Sequence, residues 1–193
     1  MNLNYKKILV ISFCLLMSLV YAQESIRGLD GFVFNKIDAT KNARVHSNMG
    51  NIYFAENNYI SALKEYQIAF NLVPNSQASA VYLYNIAQCF VKLNDYNSAL
   101  KAIKGAIEKD SINITYYDFL AQCCIKLGIY ETEIQKLIND TKNPYNRVVV
   151  GLIYLKTNQK NNAIIIFDEF INQYPKMIIT NDIKMIMNKI NKN

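Results

Sequence analysis

The chain has 193 residues, 51% of them apolar, with six glycines, three prolines and no tryptophan, a composition typical of a globular domain. Its formal net charge of +6 comes from 21 basic and 15 acidic residues. The basic residues are scattered along the chain, whereas a nucleic-acid-binding surface usually shows them clustered. We therefore expect no nucleic-acid partner.

The first 22 residues have the pattern of a secretory signal peptide. Lys6 and Lys7 precede an apolar run from Ile8 to Val20, and a small residue, Ala22, closes the segment. The run is shorter than the roughly 20 residues of a membrane-spanning helix. We expect cleavage after Ala22, which lowers the net charge from +6 to +4 by removing two lysines. The alternative is an uncleaved membrane anchor.

Signal cleavage predicts an exported protein that does not span the membrane. The abundance of Asn, Ile and Lys is typical of AT-rich bacterial genomes, so we expect the periplasm or the extracellular space. Cys14 follows Phe13 rather than a small residue, which argues against a lipid-anchored protein.

After the N-terminal segment, one spacing of small and aromatic residues recurs four times. In its first copy the intervals are 3, 9, 4, 3 and 5 residues, from Gly50 through Tyr53, Ala62, Tyr66 and Ala69 to Pro74. The same intervals separate three further sets: Ala87, Phe90, Ala99, Ile103, Ala106 and Ser111; Ala121, Cys124, Glu133, Leu137, Asp140 and Tyr145; and Gly151, Tyr154, Ala163, Phe167, Phe170 and Pro175. Successive copies start 37, 34 and 30 residues apart.

The spacing predicts pairs of helices. Within the first copy, Gly50 lets a second helix approach closely, and Tyr66 lies between the small residues of that second helix. Turn-forming residues at 57–59 separate the two helices, and Pro74 ends the unit because it cannot continue a helix.

This pattern resembles the tetratricopeptide repeat (TPR), which has a period of about 34 residues. The resemblance implies an all-α fold, an α-solenoid of about four TPR-like helix–turn–helix repeats with a C-terminal capping helix. In the third copy Glu133 and Asp140 replace small residues, and its second helix, predicted over 131–140, should be truncated because Pro144 follows closely. The segments are a signal peptide (1–22), an N-terminal arm (23–42), repeats at 43–76 and 80–113, a degenerate repeat at 114–143, a repeat at 144–177 and the capping helix at 178–193.

The sequence contains little that suggests catalysis. It has no glycine-rich phosphate loop, no nucleophile elbow and no HExxH helix. The single histidine, His46, lies at a first-helix position and is expected to be half-buried and structural. We expect no enzyme activity, no metal and no cofactor.

Three cysteines remain after the signal segment: Cys89, Cys123 and Cys124. Cys89 and Cys123 occupy equivalent sites of adjacent repeats, where a small buried residue fits, so buried thiols are the first expectation. The alternative is a Cys89–Cys123 disulfide between repeats two and three.

The resemblance also implies a binding surface, because TPR proteins bind partners in a concave groove lined by their first helices. Carried over by position, the groove residues are Arg44, Asn51, Phe54, Tyr84, Gln88, Lys92, Asp118, Gln122 and Lys126, continued in repeat four by Tyr145, Val148, Leu152, Leu155 and Lys156. Asn51 and Asn85 match two asparagines of the subfamily that binds chaperone tails, but Ser47, Thr115 and Phe119 replace its cations.

The expected function is that of an exported adaptor or scaffold, which binds a protein or peptide partner through the concave groove, as part of an envelope complex. The alternative is a periplasmic or extracellular binding module for peptides or cell-wall fragments.

Overall fold

A computed structural model of the protein describes residues 38–190 and residue 192. The predicted signal peptide, and the predicted arm up to residue 37, lie outside the described residues. Residues 38–42 of that arm are helical. Residues 43–193 form one compact unit, which contains the repeats.

The described residues form nine helices and no strand. They are α1 (residues 38–55), α2 (Tyr59–Leu72), α3 (Ser79–Lys92), α4 (Tyr96–Lys109), α5 (Ile114–Lys126), α6 (Tyr130–Asn139), α7 (Tyr145–Lys156), α8 (Lys160–Gln173) and α9 (Ile179–Ile190). Consecutive pairs make four helix–turn–helix units, and α9 packs on α8 at the C-terminal end. The predicted fold class, an all-α solenoid with a capping helix, is confirmed.

The turn inside each repeat has the same backbone geometry. One residue per turn adopts a positive φ of 60–70°, a region that asparagine and glycine tolerate best: Asn57, Asn94, Gly128 and Asn158. In two of these turns the next residue caps the following helix, since Asn58 accepts a bond from the Ser61 amide and Asp95 from the Ser98 amide.

The junctions that follow each repeat share the same kind of hydrogen bond. A polar side chain early in the next helix donates to the backbone carbonyl six residues before it, which satisfies an acceptor just after the end of the preceding helix. These bonds are Ser79 to Val73 (3.0 Å), Tyr117 to Ser111 (2.8 Å), Asn146 to Asp140 (3.0 Å) and Thr180 to Tyr174 (2.6 Å). Thr180 lies inside the first turn of α9, which begins at Ile179.

Inside each repeat, a small residue on the first helix lies sixteen positions before a larger one on the second. The larger partner is aromatic where the small residue is glycine, as in Gly50–Tyr66 and Gly151–Phe167. It is aliphatic where the small residue is alanine, as in Ala87–Ile103 and Ala121–Leu137. The two helices of a repeat thus stay close together, because a smaller residue on the first helix is matched by a larger residue on the second.

The third repeat is the irregular one, as its sequence predicts. Its second helix, α6, has only ten residues, and Ile134 is its single buried side chain. Glu133 occupies a small-residue position there and forms ion pairs with Lys104 (3.4 Å) and Lys136 (3.8 Å). Across the described part of the chain, no helix is both long and apolar enough to span a membrane.

The cysteines of the repeats should resist thiol reagents in the folded chain. Cys89, Cys123 and Cys124 are buried free thiols, and burial raises the pKa of Cys89 and of Cys123 to about 12 and that of Cys124 to about 11. Because thiolate is the reactive form, mass spectrometry should find these three sites unmodified by iodoacetamide at pH 8 and fully modified after unfolding. A reducible Cys89–Cys123 link would contradict this expectation.

Candidate functional site

The nine predicted groove residues lie on the first helices of the first three repeats. We call this side of the stack the first-helix wall and define it by Arg44, Asn51 and Phe54 of α1, Tyr84, Gln88 and Lys92 of α3, and Asp118, Gln122 and Lys126 of α5. Successive wall residues on each helix lie three or four residues apart, or seven in α1, so each helix presents them on one face.

The structure brings Tyr84, Gln88 and Asp118 together at the centre of the wall. The Tyr84 ring contacts Tyr116 at 5.2 Å and Phe119 at 5.3 Å between centroids, which joins repeats two and three. The pKa of the Tyr84 phenol is raised by burial and by the charge of Asp118, and a hydrogen bond from Gln88 opposes that rise. Tyr84 is thus a half-buried anchor with polar groups around its hydroxyl.

A further contact extends this centre into the fourth repeat. The Asp118 carboxylate lies 2.9 Å from the ammonium group of Lys156 on α7, and both side chains remain partly exposed. Two other predicted residues of α7, Val148 and Leu152, differ because they are buried. They are not presented to a partner, since α7 packs against α5, α6 and α8 and is apolar on several faces.

At the other end of the wall, the predicted residues contribute to the fold. The Asn51 side-chain oxygen accepts a 2.7 Å bond from the Tyr66 hydroxyl, and the Phe54 ring meets Tyr59 edge-on at 5.3 Å. Lys92 lies 6.0 Å from the centre of that Tyr59 ring, within reach of a cation–π interaction. Replacing Asn51 therefore removes a structural bond as well as an exposed amide.

The three remaining predicted residues of the wall are also exposed. Arg44, Gln122 and Lys126 are exposed, and their polar ends are accessible on the wall. The positions that carry cations in the chaperone-tail subfamily hold no cation: Ser47 is buried and Phe119 packs on Tyr84. The wall therefore lacks that carboxylate clamp.

His46 has the structural position expected of it. Its Nδ1 atom lies 2.6 Å from the Glu65 carboxylate, a half-buried contact that ties α1 to α2. Among the described residues, no three histidine, cysteine or carboxylate side chains are grouped as a metal site would require.

An open pocket lies away from the first-helix wall, between the start of α6 and the α7–α8 turn. Its volume is about 470 Å³, and it is lined by Tyr130, Glu131, Thr132, Ile134, Gln135, Tyr154 and Gln159. The repeat pattern assigns Tyr154 to packing, so sequence reasoning missed this pocket. Only the pairing of α6 with the next turn creates it.

The fold and the wall define the class: an α-solenoid of helix–turn–helix repeats with an exposed first-helix surface. Sequence models described as tetratricopeptide repeat match residues 42–111 and 150–176. The chain therefore contains tetratricopeptide repeats, as its spacing predicts. Residues 112–149, which include the irregular third repeat, lie between the two matched segments.

Individual relatives are distant. Protein unc-45 homolog B of Xenopus laevis is 28% identical over 108 residues, which are 54% of this chain and 11% of that protein. The chain thus spans about a tenth of that relative's length. A tetratricopeptide repeat protein from Parabacteroides merdae has a similar fold, with a TM-score of 0.50 and 17% identity over 79% of this chain and 61% of that one. The MamA protein aligns with a TM-score of 0.48 and 14% identity, over 79% of this chain and 91% of that one.

Proposed function

We propose that this protein is an exported adaptor or scaffold that binds another protein through its first-helix wall. The observation that carries the proposal is the centre of the wall, where Tyr84, Gln88, Asp118 and Lys156 from three successive repeats lie together. A half-buried aromatic ring among exposed amides and charges is the usual composition of a protein-binding anchor. Export rests on the signal-peptide pattern of residues 1–22.

The charges of the wall favour an acidic partner segment. Its cations are Arg44, Lys92 and Lys126, and its single anion, Asp118, is already paired with Lys156 of the neighbouring helix α7. The Asp118–Lys156 pair is neutral as a unit, so the net positive charge of the wall comes from Arg44, Lys92 and Lys126, which can attract a carboxylate. The amides of Gln88 and Gln122 can hydrogen-bond the backbone of an extended segment or the polar face of a helix. The partner is therefore an acidic segment of another envelope protein.

Capture of the partner from the native envelope tests the proposal. Replacing Gln88, Gln122 and Lys126 together by alanine should reduce the affinity for the captured protein at least about tenfold, because the three side chains contact the partner and none is fully buried. Binding of the unaltered chain should also weaken as ionic strength rises. Calorimetry or biolayer interferometry measures both effects.

A matched control uses the same kinds of residue on the second helices. Gln67, Asn71 and Lys101 are exposed on α2 and α4, and their joint replacement by alanine should leave the affinity unchanged. If both triple variants lost affinity equally, or if the wall variant bound with full affinity, the binding surface would lie elsewhere on the protein.

The second candidate function is a periplasmic or extracellular binding module for peptides or cell-wall fragments. The open pocket of about 470 Å³ favours it, because this volume suits a small ligand and its tyrosines and amides can bind peptide or sugar groups. A thermal shift with short peptides or glycans that disappears in Gln159→Ala supports the module. Recovery of one stoichiometric protein partner, without such a shift, supports the adaptor.

A further inference from the structure

A second surface of the protein lies on α1, on the side opposite its packed face. Val45, Met49 and Ile52 are 49%, 37% and 58% exposed and follow one another at helical spacing. The buried residues of α1, Ala43, Ser47 and Gly50, lie on the other side of the helix. Three large apolar side chains therefore form a stripe that no described residue covers.

Charged residues end this stripe on both sides. Lys41 lies one turn before Val45. Glu56 directly follows α1, and its amide bonds to the Ile52 carbonyl at 3.0 Å, so it continues the helical spacing of the stripe; both charged side chains are exposed. Among the described residues, neither Lys41 nor Glu56 forms an ion pair. We call the six residues Lys41, Val45, Asn48, Met49, Ile52 and Glu56 the α1 seam.

The α1 seam is complementary to a second copy of itself. Lys41 and Glu56, Val45 and Ile52, and Asn48 and Met49 are each placed symmetrically about one point of the helix, midway between residues 48 and 49. An antiparallel pair of α1 helices with a two-fold axis at that point puts all three pairs opposite one another at once. A parallel pair would instead set Lys41 against Lys41.

From this complementarity we propose that the protein forms an antiparallel homodimer through the α1 seam. The apolar side chains of the two copies bury one another, and two Lys41–Glu56 ion pairs at the ends determine the direction of pairing. With three apolar side chains from each copy, the seam belongs with small interfaces, which are weak and concentration-dependent. The first-helix wall lies on a different face of α1, so the dimer leaves it accessible.

The outer side of α2 extends this apolar surface. Ile68 and Leu72 are 39% and 38% exposed, and they lie three and seven residues after Glu65 on the same side of α2. Glu65 itself contacts His46 of α1, so this side of α2 is turned toward α1. Ile68 and Leu72 thus add exposed apolar surface on the side of α2 that carries this contact.

Analytical ultracentrifugation of the full chain, from about 1 µM to about 1 mM, tests the dimer. The unaltered chain should pass from monomer to dimer as concentration rises. Ile52→Asp should weaken association at least about tenfold, because it places a carboxylate in the apolar stripe. The control Ile165→Asp changes an equally exposed isoleucine (56%) on α8 and should leave association unchanged.

Charge exchange tests the direction of pairing independently of any effect on folding. Lys41→Glu and Glu56→Lys should each weaken the homodimer, because each puts like charges opposite one another. The two changes in one chain, or an equal mixture of the two single variants, should restore association. The proposal would be overturned if the chain stayed monomeric at every concentration, or if no seam variant changed the association. It would also be overturned if neither the double variant nor the mixture restored association.

Discussion

Replacing Gly151 with alanine should lower the free energy of unfolding by about 2–3 kcal/mol. A Cβ atom at this position would lie 2.3 Å from Cε1 of Phe167 and 2.7 Å from its Cζ, far inside van der Waals contact. Phe167 is fully buried, so its ring cannot turn outward into solvent without disturbing the helices around it. The helices α7 and α8 must therefore separate, and urea unfolding measures the loss of stability.

Two further variants separate this overpacking from other effects of a glycine substitution. Gly105→Ala, on α4, would contact only the Leu83 side chain, with Cδ1 at 3.3 Å and Cδ2 at 4.0 Å. The better helix propensity of alanine should keep stability within about 1 kcal/mol of the unaltered chain. Gly151→Ala combined with Phe167→Leu reproduces the Ala121–Leu137 pair of repeat three and should recover much of the stability. Gly151→Ala as mild as Gly105→Ala would contradict the predicted close approach.

The second large effect is expected at Phe170, whose replacement by alanine should cost about 3–5 kcal/mol. The side chain is fully buried in the core that includes Ile179 and Ile183 of α9, and its ring lies 5.2 Å from Tyr174. Alanine leaves a cavity between the last repeat and the capping helix, which cannot collapse without moving α9. The midpoint of urea unfolding should fall while its slope stays constant.

Ile165→Ala on the same helix is the control for Phe170→Ala. Ile165 is 56% exposed, so its truncation should change the unfolding free energy by no more than about 0.5 kcal/mol. A cost below about 1 kcal/mol for Phe170→Ala would show that α9 contributes little to the stability of the stack.

The candidate site shows where prediction from sequence reaches its limit. The helical faces of Tyr84, Gln88 and Asp118 follow from their positions in the repeat, and these residues do lie together. Position in the repeat did not predict the hydrogen bond of Asn51 to Tyr66, the burial of Val148 or the pocket beside Tyr154. Each depends on which neighbouring helix covers a face, and the repeat pattern treats every copy as equivalent although the third is shortened.

What the sequence determined by itself is the repeating part of this protein. Each helix pair is specified by residues close together in the chain: a small residue that allows close approach, a large partner sixteen positions later, and turn residues between them. The four helix pairs can therefore be predicted without considering contacts between repeats. The exposed surfaces, and the contacts between repeats such as Asp118 with Lys156, depend instead on how the helices pack together. Such contacts join residues far apart in the chain, and their geometry depends on how every intervening helix packs.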